Sequence, residues 1–485
     1  MRILLAASEV HPYAKTGGLA DMVAALGKSL AQAGHQVGIV MPLYRGLAER
    51  FPLEKLDWWL QVPLDLRVVP GEVWTHGPLP GLTVYFVHVA EFFSDRAGLY
   101  GAGGRDFPDN AARFTLFAKA VAHLARYLPW QPEIVHLHDW QAGLVPLLVR
   151  HQAWREGWAR PPATVLTIHN LAYQGFFGLD EWRHTNLPRD YLNPDAAEFH
   201  GGWSMLKAGL VFAGRLTTVS PRYAREITTE VFGEGLDGVI RARQAVLTGI
   251  LNGVDYEEWN TRENPFLPHA FSAPDLTGKA RCKAALQHEL HLPVRADVPL
   301  FAGVSRLADQ KGMDLALAAL EEMLAADLQF ALLGSGQPEL EHGFLKLAAR
   351  HPGKVAVKLD FNAGLSHRIE AGADFFLMPS RFEPCGLNQM YSLRYGTIPI
   401  VRRTGGLDDS VVDFRDDPEH ANGIKFEGYQ ARALSKAIRK ALALYAAPAA
   451  FAYYRRNGVA ADFSWGRCQE AYEQVYRHAM AGPAS

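Results

Sequence analysis

The chain has 485 residues, and its 49 Lys and Arg against 51 Asp and Glu give a formal net charge of −2. This length predicts about two or three domains. The balanced charge disfavours a nucleic acid or a membrane surface as partner, since such proteins usually carry a basic excess. The three cysteines are far apart, which argues against a disulfide framework, and the apolar runs fall short of the ~18 residues of a membrane helix. We therefore expect a cytoplasmic protein.

The first half of the chain alternates apolar strands with helices. A strand is predicted at residues 3–7, a helix at 19–34 and a second strand at 36–41, which together form the βαβ opening of a doubly wound sheet. Continuous apolar runs, which are typical of buried parallel strands, predict further strands at residues 83–89, 134–138, 164–169 and 216–220 and helices at 110–127 and 205–212.

The pattern changes after Asn252, where the chain becomes rich in Asn, Pro, Asp and Glu. A second alternating series of strands and helices begins at residue 299. We therefore predict two Rossmann-like α/β domains, residues 1–253 and residues 254–464. The terminal segment, residues 465–485, contains a helix with no strand after it, and we expect this helix to pack back on the first domain.

A glycine turn, Lys15-Thr16-Gly17-Gly18, follows the first predicted strand and opens the first helix. Glycines let the backbone approach a ligand closely, and the free N–H groups at a helix start favour anions. Lys15 adds positive charge. The alternative is a plain strand-to-helix turn with a surface lysine, and Asp21 is equally consistent with a favourable N-terminal charge.

Two cations, Arg306 and Lys311, follow the first strand of the second domain. Arginine offers a planar fork and lysine a point charge, so the pair suits a diphosphate. Two solvated surface cations are the alternative, but ligands of open α/β sheets bind at the carboxyl ends of strands. The later turn Gly334-Ser335-Gly336 only faintly resembles a dinucleotide fingerprint, because Glu339 at the helix start would repel a pyrophosphate.

Polar side chains end two neighbouring strands of the first domain. His136 and His138 share one strand face, with Asp139 directly after them, and His169-Asn170 ends the next strand. A metal is disfavoured because no third and fourth ligand stands at a familiar spacing. We interpret His136 as a core residue and the other four as polar strand ends that face a ligand.

The stretch from residue 380 to residue 411 combines a turn, a helix, a strand and a second turn. Glu383 precedes Cys385-Gly386-Leu387, and the second turn is Thr404-Gly405-Gly406. Unpaired N–H groups beside a carboxylate suit a polyhydroxylated ligand next to a negative charge. Because no histidine pairs locally with Cys385, we interpret it as a small packing residue rather than a nucleophile.

In this order the motifs resemble the bacterial glycogen synthases, which are similar to plant starch synthases, over essentially the whole chain. The residues that carry the resemblance are 15–21, Tyr100 with 108–110, 136–140, 169–170, 207–209, 251–255, 305–306 with 311–312, and 380–407.

The resemblance implies the GT-B glycosyltransferase fold, with two Rossmann-like domains facing across a cleft. It implies retaining transfer of glucose from ADP-glucose to the non-reducing end of an α-1,4-glucan, with no metal and no cofactor. By matching positions, Arg306, Lys311, Lys15 and the amides near Gly17 and Gly18 would neutralise the diphosphate. Glu383 and the amides of Cys385, Gly386 and Leu387 would hold glucose hydroxyls.

The same resemblance implies that His169 and Asn170 border the glucose and that Asp139 lies on the acceptor side. Asp21, Thr404 and Gly405 complete the expected donor and acceptor contacts, Asp21 in a positioning role. A front-face reaction, in which the departing phosphate takes the acceptor's proton, needs no covalent nucleophile, and a covalent route stays open.

The sequence departs from the family pattern at three places. Gly27 stands where proline is frequent, Asn388 where threonine is common, and Arg402-Arg403 where a small residue is expected before the glycine turn.

Two other functions remain open at this point. One is a sugar-nucleotide transferase of the same fold that makes a disaccharide or uses UDP-glucose. The other is a catalytically silent glucan-binding protein, which the retained cations and Glu383 disfavour. The base preference, the acceptor length, the oligomeric state and allosteric control are not determined by these residues.

Overall fold

The computed structural model describes residues 1–272 and 275–482. The chain forms two compact units. The first comprises Met1–Val219, Ala224–Gly253 and the chain from Trp465 onward, and the second comprises Ser220–Tyr223 and Val254–Ser464. In the described part of the chain, none of the helices combines the length and the apolar character that crossing a bilayer requires.

The first unit is built around one large sheet. The strands of the first unit are β1 (Arg2–Ala6), β2 (Gln36–Pro42), β3 (Glu54–Leu64), β4 (Arg67–Leu79), β5 (Leu82–His88), β6 (Gly101–Ala102), β7 (Arg105–Asp106), β8 (Ile134–His138), β9 (Ala163–Ile168), β10 (Phe176–Gly178), β11 (Glu198–Phe199), β12 (Gly202–Ser204), β13 (Arg215–Thr218) and β14 (Leu247–Gly249). Nine of them pair in the order β14-β13-β9-β8-β1-β2-β5-β4-β3. Strand β4 is antiparallel to β3 and β5, and the other neighbours are parallel.

The hairpin of β3 and β4 is missing from the sequence-based prediction. Exposed and buried residues alternate over the last part of β3, from Leu60 to Leu64. A search for continuous apolar runs finds strands that are covered on both faces, whereas an antiparallel strand near a sheet edge is often covered on one face only.

The second unit contains a six-stranded parallel sheet. Its strands are β15 (Leu300–Val304), β16 (Gln329–Leu333), β17 (Val355–Lys358), β18 (Phe375–Met378), β19 (Ile398–Arg402) and β20 (Ile424–Phe426). They pair in the order β17-β16-β15-β18-β19-β20. Phe301, Phe330 and Phe375 from three of these strands are fully buried in one apolar core with the helices.

Helices connect most of the parallel strands. They are α1 (Gly18–Gln32), α2 (Leu47–Arg50), α3 (Asn110–Tyr127), α4 (Val145–Glu156), α5 (Met205–Phe212), α6 (Pro221–Glu226), α7 (Asp237–Ala242), α8 (Thr277–Glu289), α9 (Met313–Met323), α10 (Pro338–Arg350), α11 (Ala363–Gly372), α12 (Asn388–Arg394), α13 (Gly405–Ser410), α14 (Ala431–Tyr445), α15 (Pro448–Ala460) and α16 (Trp465–Met480).

The two large sheets each reverse their strand order beside their first strand. In the first unit β2 and β8 lie on opposite sides of β1, and in the second β16 and β18 lie on opposite sides of β15. Open α/β sheets bind ligands beyond the carboxyl ends of the strands at such points. The loops after β1, β8, β15 and β18 are therefore the places to look for a site.

The last helix, α16, packs on the first unit. The Tyr476 hydroxyl lies 2.8 Å from Nδ1 of His136, which is fully buried in β8. Glu473 pairs with Nε2 of His35 at 2.9 Å, and the Cys468 thiol donates to the carbonyl of Leu251. Polar contacts inside the unit therefore fix the register of this helix.

We expect Tyr476→Phe to destabilise the first unit by about 1–3 kcal/mol, because it leaves a buried histidine nitrogen without a partner. The midpoint of thermal unfolding, followed by circular dichroism, measures the change. Tyr127→Phe is the matched control, since Tyr127 in the same unit is 52% exposed. Equal midpoints for the two variants would show that α16 does not depend on this hydrogen bond.

Candidate active site

An ion pair between the half-buried Lys311 and the buried Glu383 joins the loops that follow β15 and β18. The Lys311 ammonium is 2.6 Å from Oε2 of Glu383, and the Ser380 hydroxyl donates to the same carboxylate oxygen at 3.1 Å. Glu383 is only 5% exposed, so its charge needs such partners. The structure thus brings together one residue predicted for the diphosphate and one predicted for the glucose hydroxyls, which are 72 positions apart in the chain.

Gly312 lets the loops after β15 and β18 approach each other. Its φ is +68°, and a Cβ atom there would lie 2.0 Å from the carbonyl oxygen of Pro379. Any other residue would therefore be strained and would push the loops apart. The glycine next to Lys311 thus serves to place the ammonium beside Glu383.

Gly405 and Gly406 support the same loop from behind. Gly405 has a φ of +43°, and a Cβ atom there would lie 1.9 Å from the carbonyl oxygen of Glu383. The Gly406 amide donates to that carbonyl at 3.1 Å. The sequence analysis assigned Thr404 and Gly405 to ligand contacts. The structure gives Gly405 a packing reason for being glycine, and ligand contact by Thr404 and Gly405 stays a prediction.

Helix α12 begins directly after Cys385-Gly386-Leu387. Gly386 has a φ of +70°, and Leu387 provides no side-chain cap for the first amides of the helix. The Asn388 side chain donates to the carbonyl of Val304 at 2.9 Å, which ties the helix start to the end of β15. This contact accounts for an amide at position 388, where the family pattern led us to expect threonine.

The two unexpected arginines are held by the protein itself. Arg402 donates to the carbonyl oxygens of Ser380 and Arg381, and Arg403 pairs with Asp408 at 3.1 Å and with Asp416 at 2.5 Å. Both arginines therefore stabilise the loops behind the site.

Arg306 lies exposed on the loop after β15. No ion pair of its guanidinium is found among the residues that the structure describes. The loop itself is fixed, because the Leu307 amide donates to Ser335 and the Gln337 amide donates to Leu307. Close loop packing accounts for the glycines on either side of Ser335. A Cβ atom at Gly334 would lie 1.9 Å from the backbone carbonyl oxygen of Ser305.

In the first unit, a buried glutamate fixes the glycine turn after β1. The Glu9 carboxylate accepts from the backbone amide of Thr16 and from its hydroxyl at 2.7 Å. It also accepts from the Tyr100 hydroxyl at 2.5 Å, and Tyr100 in turn contacts Ser8. The sequence analysis missed Glu9. Its signal is an acid that directly follows an apolar strand and precedes the turn by a few residues.

The glycine turn itself leaves room for a ligand. Lys15 pairs with Asp21 at 2.8 Å, so Asp21 orients the ammonium. Gly17 is extended, and no described atom lies within 4 Å of where its Cβ would be. Helix α1, which starts at Gly18, has no side-chain cap. The first amides of α1 are thus available to an anion.

Asp139 and two histidines meet where β8 and β9 end. Nδ1 of His138 lies 3.1 Å from Nε2 of His169, and Oδ1 of Asp139 accepts from the His169 amide at 2.7 Å. Burial lowers the pKa of His169 to about 3, so this imidazole is neutral at physiological pH. Burial raises the pKa of Asp139 to about 7, although the amides of His169 and Asn170 oppose the shift. Asp139 thus titrates near neutrality.

Among the described residues, no group of three or more His, Cys, Asp or Glu is arranged to hold a metal ion. His136 instead bonds Thr167 at 2.6 Å through Nε2, as a core residue.

We expect the free energy of unfolding of Asp139→Asn, relative to that of the parent, to increase as the pH rises. A carboxyl with a raised native pKa binds its proton more tightly when folded, so its ionisation opposes folding between pH 4 and pH 7. The amide keeps the acceptor for His169 and removes the charge. Urea unfolding at pH 5 and pH 8 should show a gain of about 1–3 kcal/mol at pH 8 over pH 5. A difference that does not change with pH would contradict the assigned shift.

Comparisons with known proteins show the family of this chain. The family described as "Starch synthase catalytic domain" matches residues 2–242, and "Glycosyl transferases group 1" matches residues 291–458. A glycogen synthase from Anaeromyxobacter sp. (strain Fw109-5) is 50% identical, with 100% of both chains covered. A glycogen synthase from Thioalkalivibrio sulfidiphilus is 48% identical over 98% of this chain and 99% of its own.

Solved structures agree with the sequence matches. The catalytic domain of starch synthase IV from Arabidopsis thaliana, bound to ADP and acarbose, superposes with a TM-score of 0.90 at 34% identity and covers 99% of each chain. A sucrose-phosphate synthase from Thermosynechococcus elongatus shares the fold, with a TM-score of 0.60 at 19% identity over 99% of each chain. The two-domain α/β architecture is the GT-B fold, as the motifs implied. The chain belongs to the glycogen synthase and starch synthase family of glycosyltransferases.

Proposed function

We propose that this chain transfers glucose from ADP-glucose to the non-reducing end of an α-1,4-glucan with retention of the anomeric configuration. The observation that carries the proposal is the ion pair of Lys311 with the buried Glu383. It puts a cation suited to a phosphate next to a carboxylate suited to a sugar hydroxyl. The names of the relatives and the ADP bound to the Arabidopsis domain support the same chemistry.

The donor's diphosphate requires positive charge as it departs. We assign this role to Arg306 and Lys311, whose loop follows β15, and to Lys15 with the amides near Gly17 and Gly18. Electrostatic groups aimed at developing charge are often the largest catalytic contribution. Asp21 is proposed to act through Lys15, with which it pairs at 2.8 Å.

The glucose ring requires hydroxyl recognition. We assign it to Glu383, which is buried and fixed by Ser380, and to the amides of Cys385, Gly386 and Leu387 at the start of α12. Thr404 and Gly405 are proposed as further donor contacts.

The reaction breaks the bond between the anomeric carbon and the diphosphate oxygen and forms a bond to an acceptor hydroxyl on the same face. We propose that the departing phosphate takes the acceptor's proton, so no side chain forms a covalent bond. The sugar gains oxocarbenium character, which the backbone carbonyl of His169 would stabilise. The neutral imidazole adds no positive charge beside that carbon. Asn170 is proposed to contact the sugar and Asp139 the acceptor.

A cytoplasmic location also stays a proposal. It is supported by the three cysteines, Cys282, Cys385 and Cys468, which are buried and form no disulfide bond within the described residues.

Incorporation of labelled glucose into glycogen, from ADP-glucose and UDP-glucose side by side, tests the proposed function. We expect strong incorporation from ADP-glucose. Equal or stronger incorporation from UDP-glucose would refute the proposed donor. No incorporation from either by folded protein would leave a disaccharide-forming transferase or a silent binder.

Lys311→Ala should lower kcat/KM for ADP-glucose by at least ~10²-fold, the scale of a lost electrostatic contact to the transition state. Steady-state kinetics with glycogen as acceptor measures the loss. Lys346→Ala is the control, because Lys346 lies exposed on α10 of the same unit. Activity within a few-fold of the parent would remove Lys311 from the site.

Glu383→Gln should impair use of ADP-glucose far more than binding of ADP, because the carboxylate is assigned to the glucosyl group, which ADP lacks. We expect kcat/KM to fall by at least ~10²-fold while the Kd for ADP, measured by calorimetry, changes by less than about tenfold. An equal loss of both would indicate a distorted loop instead.

A further inference from the structure

A polar cavity lies in the second unit, apart from the loops after β15 and β18. It measures about 190 Å³, several times the ~30 Å³ that one water occupies in the liquid. Two arginines, Arg262 and Arg394, line it together with the hydroxyl-bearing residues Thr261 and Ser272. Phe271, Leu276 and Val459 form its apolar wall. No acidic side chain belongs to the lining within the described residues.

Arg394 is the group that points to a ligand. Its Nε atom is buried and has no hydrogen-bond partner. The same holds for Nε of Arg243, Arg403 and Arg455, but each of those side chains donates through another nitrogen to a carbonyl or a carboxylate. For Arg394, no hydrogen bond from any guanidinium nitrogen is found within the described residues. A buried cationic donor without an acceptor is costly, so a bound anion would satisfy it.

The interior contacts of Arg394 do not satisfy that need. Its guanidinium lies 4.2 Å from the ring centre of Tyr256. This stacking orients the planar group, but the ring accepts no hydrogen bonds from the N–H groups in the guanidinium plane. Arg394 ends α12, where a cation also offsets the helix dipole. The last carbonyls of that helix are already occupied, because Tyr391, Ser392 and Leu393 accept from the amides of residues 395–397. The helix end therefore presents little exposed negative charge to an incoming anion.

Arg262 supplies a second fork at the same cavity. It is exposed, and its side chain has no hydrogen bond or ion pair in the described part of the chain. Two guanidinium groups that lack carboxylate partners suit an oxyanion with several acceptor oxygens, because each fork can donate two parallel N–H bonds. Glu370 and Glu258 are the acidic groups whose charges act on Tyr395, next to Arg394, and neither lines the cavity.

We propose that this cavity binds a small phosphate monoester. The phosphate would accept from Arg394 and Arg262. The hydroxyls of Thr261 and Ser272 and the apolar wall would contact a short carbon skeleton. A cavity of about 190 Å³ suits a small molecule. The assignment does not depend on the proposed donor site, because none of its residues belongs to that site.

Calorimetry on the full chain tests the proposal, with glycerol 3-phosphate as probe. Excess ADP is present throughout, so that the proposed diphosphate site is occupied. We expect saturable binding of one molecule per chain. Arg394→Gln and Arg262→Gln should each weaken it by at least ~10-fold, the effect of losing a bidentate charge-assisted contact. Arg432→Gln, at an exposed arginine of the same unit that does not line the cavity, should leave the affinity unchanged.

Three other results would contradict the proposal. Absence of saturable binding at millimolar glycerol 3-phosphate would overturn the proposal, as would binding that neither arginine variant weakens. Inorganic phosphate that binds as tightly as glycerol 3-phosphate would refute a monoester, since the apolar wall would then contribute nothing. Because Arg262 is exposed, its replacement is expected to leave the fold intact even if Arg394→Gln unfolds.

Discussion

The proposed donor site depends on keeping one buried carboxylate paired. Glu383 is nearly inaccessible to water, and the Lys311 ammonium with the Ser380 hydroxyl satisfies it. A buried ion that loses its partner is strongly destabilising, so the loops after β15 and β18 must stay in register. The close approach at Gly312 maintains this register. The ion pair thus joins the two places at which a sugar and a diphosphate are proposed to bind.

The loops that are proposed to bind ligands are held in place in a similar way in the two units. In each, the loop lies where the sheet reverses its order, and a group behind the loop fixes its backbone. In the first unit that group is the Glu9 carboxylate, which holds Thr16. In the second it is the glycine turn, whose Gly406 amide holds the carbonyl of Glu383. The backbone that carries the residues offered to a ligand is thereby held in place by neighbouring groups of the same unit.

The sequence was sufficient for those features that depend on local pattern. Continuous apolar runs locate the buried parallel strands, and Lys311 and Glu383 stand out as charges at strand ends. The β3–β4 hairpin was not found because its exposed positions interrupt the apolar run. Glu9 was not found because its partners, Thr16 and Tyr100, are brought to it only by the fold. The packing role of Gly405 is equally invisible, since it depends on a carbonyl 22 positions earlier in the chain.

A double-mutant cycle on Lys311 and Glu383 tests the central claim most directly. Values of kcat/KM for ADP-glucose are measured for the parent, Lys311→Ala, Glu383→Gln and the double variant. If the pair acts as one unit, removing the second member costs less than removing the first, and we expect a coupling energy of at least ~1 kcal/mol. Effects that add within about 0.5 kcal/mol would show that the two side chains act independently, which would contradict the account.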